Sequence, residues 1–522
     1  MNLSTARFAA AALAAVWTTG TGAIAAQTTE EEDLALAYGD KSTISIATGS
    51  SQPINRAPSV ATVITARDIE AMGATDLDQA LESVPGLHVS MSNVALNPFY
   101  NFRGIATKYN PQVLMLVNGI PITNVFAGDR GKIWGGMPLE NVARIEVIRG
   151  PGSALYGADA FSGVINVITK TAADINGTEY GVRAGSFNTR DAWIQHGGKV
   201  GALDAAFYLS TGNTDGHKGL IPRDKVSRSG PLNTERKAID ARTDLSYEAW
   251  RFRAAYQKRE VGAGAGLGGA LDPSERGHTS RLYLDMNYEQ ANWLPNWDVS
   301  GTVGYYDIKE NGDPTYTLVP AGVLASFPRG MQGNPGHAER NMHASASTVY
   351  TGFEQHRVRI GTGYRLNDVY EVTETKNYDV NFAPLPGIVD ATNNPALAYM
   401  LPHKRNVAFV FVQDEWNIVK DWTLTAGVRH DNYSDFGGTT NPRLALVWDA
   451  AYNVVVKVMH GTAFRPPTFA ELYAINNPVT IGNPNIQPET ITTDELAFLW
   501  QPVSTLQSNL NFFQYRMRSI IA

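Results

Sequence analysis

From residue 177 onward the chain is written in segments of about ten residues whose apolar and polar side chains alternate, a period of two that no helix satisfies. Trp422, Leu424, Ala426 and Val428 alternate with Thr423, Thr425, Gly427 and Arg429. Leu282, Leu284, Met286 and Tyr288 alternate with Arg281, Tyr283, Asp285, Asn287 and Glu289. Phe207 and Leu209 against Tyr208 and Ser210, and Phe252 and Tyr256 against Arg251 and Gln257, repeat the pattern. Each segment predicts an extended strand with one greasy and one polar face. Roughly fifteen such strands can be placed, joined alternately by tight turns and by long polar segments. The long segments fall at 218–235, 261–275, 312–337, 367–404 and 465–490.

Alternation alone does not separate a soluble sandwich from a membrane barrel, but export does. Arg7, an apolar run over 8–16 and the small residues Ala23-Ile24-Ala25 read as a secretory signal peptide occupying 1–25. No later stretch approaches about 18 consecutive apolar residues, so nothing in the sequence spans a bilayer as a helix. An exported chain with bulky charge on the polar strand faces and long loops at one end is expected to be a large antiparallel transmembrane β-barrel of the outer membrane. Its 48 Gly, 22 Tyr, 19 Phe and 10 Trp suit strands and turns. The balance of 43 Lys+Arg against 50 Asp+Glu, net −7, leaves no electrostatic footprint for nucleic acid. The absence of Cys excludes disulfide scaffolds, thiolate zinc sites and Cys nucleophiles.

Two regions precede the strands. Residues 26–57 begin acidic and irregular and then show a short extended patch, Thr43-Ile44-Ser45-Ile46-Ala47, which reads as a flexible periplasmic arm. Residues 58–171 are mixed α+β and predict a small globular domain ahead of the strand region 177–522. In that domain Val60 to Ile64 reads as a strand. Thr65 to Asp68 and Thr75 to Asp78 have capping-box spacing, and Asn118-Gly119 between apolar runs marks a two-residue hairpin.

The run Pro138-Leu139-Glu140-Asn141-Val142-Ala143-Arg144-Ile145-Glu146-Val147-Ile148-Arg149-Gly150-Pro151, continued by Gly152 to Gly157 and by Gly163 to Lys170, closely resembles the plug signature of TonB-dependent outer-membrane receptors. Asn101-Phe102-Arg103-Gly104-Ile105 and the segment 113–122 resemble other plug segments. Val412 to Trp416, Phe464 to Tyr473 and Gly482 to Asn485 resemble the family's barrel. The resemblance implies a plug inside the barrel lumen. It also implies a scarce nutrient as ligand, most simply a ferric siderophore-type chelate, and TonB, with its inner-membrane energising complex, as partner. Outer-membrane lipid surrounds the wall, and no cofactor is implied.

By the same resemblance Thr43, Ile44, Ser45, Ile46 and Ala47 stand where the TonB box is expected. Arg103 and Arg149 are expected to make ionic contacts between plug and barrel, with Glu495 as a carboxylate on the wall. Glu495 faces inward on its own alternation, opposite Leu496 and Phe498. Plug stretches 91–100 and 123–130 are expected at the extracellular apex. There Phe99, Tyr100, Tyr109 and Phe126 supply aromatic contacts to the ligand, and Asn124 and Arg130 polar ones. A passive porin-like channel and a non-transporting receptor remnant stand as alternatives.

No Ser, His and Asp set with a nucleophile elbow is visible, so no catalytic residue is assigned and an enzyme is not expected. Gly264 to Gly269 matches a dinucleotide fingerprint letter for letter but lacks a βαβ setting and reads as a loop. His337, His343 and His403 lie in or beside predicted loops without metal-ligand spacing, so no metal site is expected. The family's barrel has 22 strands. With about fifteen in hand and no aromatic at Ala522, the C-terminal third of the barrel is expected to be missing, since an open sheet edge in lipid is strongly disfavoured.

Overall fold

The computed structural model describes residues 43–521, apart from 93–96, 108, 265–268, 272–273, 314–315, 478–480 and 504–505. The expected signal peptide, 1–25, and the acidic start of the arm lie outside the described residues, as does the middle of the Gly264 to Gly269 motif.

Among the described residues, alternation builds one 17-stranded antiparallel sheet from Gly177–Gly185 to Leu506–Arg518, in which strands follow each other in chain order. Two of the 17 are short, Thr317–Val319 and Pro384–Asp390, and pair above the long strands Met331–Tyr350 and His356–Tyr378. The outward positions are apolar and exposed: Val182, Ile194, Phe207, Leu209, Ile239, Phe252, Val410, Val428 and Val458. Their inward neighbours, among them Arg253, Asp285, Arg429 and Lys457, are buried.

At the end with tight turns the outward aromatics pair across strands. Trp250 meets Tyr288 at 4.8 Å, Trp297 meets Tyr350 at 4.6 Å and Trp422 meets Trp448 at 4.8 Å. Such a girdle marks the level of one bilayer interface. Glu248, Asn296 and Asp421 take φ of 52, 68 and 71°, the left-handed backbone that two-residue hairpins need.

At the other end the strands run further than the sequence suggests. Met331–Tyr350 has 20 residues and His356–Tyr378 has 23, whereas about ten cross a bilayer. Parts of the expected loops 312–337 and 367–404 are therefore strand. Above the membrane both faces of a strand meet water or loop, so the apolar beat disappears while the pairing continues.

The domain inside the sheet has five strands ordered Val60–Thr65, Val142–Arg149, Gly163–Thr169, Val113–Val117 and Ile120–Pro121. Ile64, Leu81, Met115, Ile145, Val147, Ile165 and Val167 form its core with Trp134. The helix Ala66–Met72 opens on the expected capping box: Thr65 accepts from the Asp68 N–H while the Asp68 carboxylate accepts from that of Thr65. The helix Leu77–Leu81 is capped by Asp76 rather than Thr75, because Asp76 is the residue still in extended backbone whose carboxylate reaches the Gln79 N–H. Asn118 and Gly119 make the hairpin at φ of 50 and 82°. The sheet surrounds this domain: Glu179 on its first strand meets Lys170, and Phe513 and Tyr515 on its last meet Arg103.

Candidate functional site

The segment Thr43–Ala47 is not a free arm. Thr43–Ile44 pairs antiparallel with Gln52–Pro53, and Ile44, Ile46 and Ala47 pack against Leu114, Leu116, Ile148 and Val164. The strand ends at Ile44 and the chain then turns, Gly49 N–H donating to Ser45 O at 2.9 Å, which brings Ile46 and Ala47 onto the plug beside Ile44. Its polar groups are satisfied from two sides. The fully buried Glu146 accepts from Ser45 N–H at 3.2 Å, Ser45 Oγ at 2.9 Å and Ile46 N–H at 3.1 Å, and pairs with Arg144 at 2.9 Å.

On the wall side cations take the carbonyls of the following residues. Arg359 donates to Gly49 O at 3.1 Å and Arg443 to Ala47 O at 3.1 Å. Lys457 donates to Ile54 O at 3.2 Å, Ala57 O at 2.7 Å and Ser59 O at 3.1 Å. The flexible-arm expectation thus fails for residues 43–57, because a groove lined by one carboxylate and several cations holds them. Neither Glu146 nor Lys457 stands out in the sequence except as a charge among apolar neighbours.

Arg103 and Glu495 meet as an ion pair, Nη2 to Oε2 at 2.7 Å, with side chains 6 and 5 % exposed. Arg103 itself sits at φ 51°, in a turn that aims it at the wall, and its guanidinium lies 4.2 Å from the Phe513 ring centre. Asn511 donates to the same carboxylate at 3.3 Å. Gly150, at φ 100°, closes the contact: a Cβ there would strike Glu495 Oε1.

Arg149 does not share this carboxylate. It donates to Pro85 O at 2.9 Å and Thr62 Oγ1 at 3.0 Å, holding the plug's own elements together. Strand register puts Arg149 opposite Val60, and Arg103 already occupies Glu495. Burial and the neighbouring Arg103 push the Arg149 guanidinium down to about 10, Glu495 acting the other way.

The stretch 123–130 is buried beneath extracellular loops rather than offered to a ligand. Phe126 stacks on His337 at 4.1 Å and 5°, and packs with Met400 and Phe469. Glu339 accepts from the Val125 and Phe126 N–H groups at 3.0 Å each. Asn124 caps the Ala127 N–H at 2.9 Å. Arg130 is held by Asp159 at 2.9 Å and by the carbonyls of Pro111 and Val113 at 3.0 Å. Asn124, Phe126 and Arg130 are therefore packing and bracing residues here. His337, read as lying in or beside a predicted loop, is the buried partner of Phe126.

Tyr100 is likewise corrected: it is 1 % exposed, and its hydroxyl donates to Asp78 at 2.7 Å. In Pro98–Phe102 the residues Pro98, Tyr100 and Phe102 face the plug core by alternation. Phe99 and Tyr109 are half-buried.

A cavity of about 440 Å³ opens elsewhere at the outer mouth, between the plug and the upper ends of wall strands Leu203–Thr214 to Trp297–Asp313. Asp78, Lys132 and Pro98 line it from the plug; Arg236, Arg259 and Glu310 line it from the wall. None of the six residues expected to contact a ligand is among its lining. Lys132 pairs with Glu310 across the gap.

Burial, reinforced by the neighbouring Asp76, raises the Asp78 carboxyl to about 6 against the hydrogen bonds from Tyr100 and Gly136. Burial, with Glu310 adding to it, raises Asp129 to about 6 against Lys132 and the backbone hydrogen bonds from Lys132 and Gly131. Among the described residues no group of three or more His, Asp or Glu is placed to hold a metal ion.

Comparison with known proteins places these features. The family profile "TonB-dependent Receptor Plug Domain" matches residues 53–164, and "TonB dependent receptor-like, beta-barrel" matches 223–522. The "Iron-regulated outer membrane virulence protein" of Vibrio cholerae is 26 % identical over 502 residues, covering 91 % of this chain and 68 % of that protein. The "Vitamin B12 transporter BtuB" of Vibrio vulnificus is 38 % identical over 457 residues, covering 86 and 65 %. The chain thus spans about two thirds of the length of these relatives. The siderophore receptor PirA from Acinetobacter baumannii superposes with a TM-score of 0.67 at 16 % identity, over 88 % of this chain and 71 % of that one.

Proposed function

The chain belongs to the TonB-dependent receptor family of outer-membrane proteins, and from that premise we propose that it imports a scarce nutrient, most simply a ferric siderophore-type chelate, with energy delivered through TonB. One observation carries the reading: the segment Thr43–Ala47 is seated between plug and wall, held by hydrogen bonds rather than covalently, at the end of a domain that fills the lumen. A partner that captures this segment by strand addition competes for the main-chain groups now held by Glu146 and the wall cations. Pulling on it pulls on the strand Val142–Arg149, an inner strand of the plug sheet paired with Val60–Thr65 on one side and Gly163–Thr169 on the other.

The names of the relatives support two ligand classes, iron chelates and vitamin B12, and the charged lining of the mouth cavity fits a polar, hydrogen-bonding ligand. The test is uptake of radiolabelled ferric chelates and of cobalamin by cells whose own receptors are deleted and which express this protein. The expected result is accumulation of one class, abolished by a protonophore and by Ile46→Pro while surface binding persists, because proline removes a donor that strand addition needs. Accumulation that survives the protonophore refutes the reading and favours a passive channel.

A further inference from the structure

Below the mouth cavity a second, smaller one of about 90 Å³ lies between the plug and the same side of the wall, and Asp240, Arg242, Arg281, Tyr283 and Tyr306 line it together with plug Trp134. The charges around it do not cancel. Asp244 is taken by Arg251 at 2.6 Å and Asp285 by Arg253 at 2.7 Å. That leaves Asp240, 3 % exposed, to face Arg242 at 3.9 Å and to lie within electrostatic reach of both Arg259 and Arg281. Gln257 takes one oxygen of Asp240 by a hydrogen bond. From the plug, Asp78 reaches Arg259 electrostatically but is already bonded to Tyr100 and Gly136.

Three guanidiniums thus share one carboxylate in a place shielded from bulk water. A donor is also left over: Arg242 Nη1 lines this cavity buried without a hydrogen-bond partner, whereas the Arg281 and Tyr306 side chains hydrogen-bond each other and Tyr283 bonds Asp285. Arg259, 4 % exposed, has two further N–H groups in the same condition and lines the mouth cavity directly above. Buried, unsatisfied donors with net positive charge are a costly arrangement unless something negative and oxygen-rich can enter. The register is the cause, since Asp240 pairs with Gln257 and Gln257 with Arg281, putting the inward residues of three adjacent strands at one height.

We propose that this cavity is a mid-lumen oxyanion site, which takes a carboxylate, phosphate or similar group of the cargo as it passes from the mouth toward the periplasm. The proposal rests on the import reading for its cargo and on the geometry alone for its anion. It places the passage on the side of the plug facing strands Leu203–Thr214 to Trp297–Asp313 and makes the cargo anionic. The cavity has room for a few waters or one four-oxygen anion.

Inorganic phosphate is the probe for the site. The melting temperature of the detergent-solubilised protein is titrated with phosphate at constant ionic strength, so that screening does not change. A saturable rise is expected, reduced at least tenfold in apparent affinity by Arg242→Gln with Arg281→Gln. Should that double variant fail to fold, Asp240→Asn serves instead and is expected to tighten phosphate by about threefold or more, since it removes the one competing carboxylate. Absence of a saturable rise, or an unchanged affinity in the variant, overturns the site.

The second arm measures uptake of a carboxylate-bearing ferric chelate by cells. The double variant is expected to bind it at the surface normally and import it about tenfold more slowly. Unchanged uptake with phosphate affinity lost overturns the cargo role and leaves free phosphate as the occupant. A parent protein that stabilises with phosphate yet imports neither chelates nor cobalamin supports the anion site and refutes the import reading instead.

Discussion

Replacing Glu146 by Ala should release the segment Thr43–Ala47 from the lumen, and the size of the effect follows from three contacts. The carboxylate, fully buried, accepts two backbone N–H groups and one hydroxyl at 2.9 to 3.2 Å. Hydrogen bonds to a charged acceptor contribute about 1.5–3 kcal/mol each, but they share one group and are not additive. In the variant Ser45, which is half-buried, regains water, and the partly exposed Arg144 turns outward; only the Ile46 N–H remains buried and unmet. A net loss of about 3 kcal/mol is reasonable, which raises the undocked fraction about 100-fold at about 1.4 kcal/mol per decade.

The natural chain has no cysteine, so one placed at Ile46, 2 % exposed, is a clean reporter. Its maleimide labelling rate follows the undocked fraction when redocking is fast. A reporter at Ile165 in the plug core should stay silent, which separates release of the arm from unfolding of the plug. A ratio of labelling rates below about threefold, with the core reporter silent, refutes the claim that Glu146 holds the segment.

Two other outcomes follow from contacts elsewhere on the plug. Arg103→Ala should loosen the plug by about 3–5 kcal/mol, because Glu495 is left charged and buried, whereas Arg103→Met with Glu495→Leu should be close to neutral. The two are compared by protease sensitivity of the plug in a double-mutant cycle. For Asp78, raised from 3.8 to about 6, the native state holds the proton after the unfolded chain has lost it. Its contribution is therefore complete below about pH 4 and is lost as the pH rises to about 6, an upper limit of about 3 kcal/mol. The unfolding midpoint of the parent should fall across that window relative to Asp78→Asn, and a constant difference between the two would contradict the assignment.

Fold and site were legible in the sequence to different depths, and the reason lies in which contrast each residue experiences. Wall strands are visible where lipid stands on one side and the lumen on the other, as along Trp422, Leu424, Ala426 and Val428. They fade where Met331–Tyr350 and His356–Tyr378 rise into water. Glu495 is readable as inward because Leu496 and Phe498, which follow it, fall on the opposite parity. Tyr100 carried the same clue, since Pro98, Tyr100 and Phe102 alternate with Phe99 and Asn101, yet its aromatic side chain in an expected loop suggested a ligand contact. Alternation was the better guide, because a strand buried against the core leaves its inward tyrosine no ligand to meet.

Glu146 and Lys457 show where legibility stops. Glu146 stands between Ile145 and Val147, so a local reading makes it part of a strand and nothing more; the groups it holds lie 100 and 101 residues upstream. Lys457 is forced inward by Val456 and Val458, but the carbonyls it meets, those of Ile54, Ala57 and Ser59, precede it by 398 to 403 residues. Period two fixes the face of the wall on which a charge appears. Which plug group it meets is set by the seating of a separately folded domain, and no periodicity within either segment encodes that seating. An inward charge on such a wall is therefore ambiguous by construction: the same alternation yields a brace for the plug at Lys457, an ion pair at Glu495 and an unspent donor at Arg242, and only the plug surface opposite tells them apart.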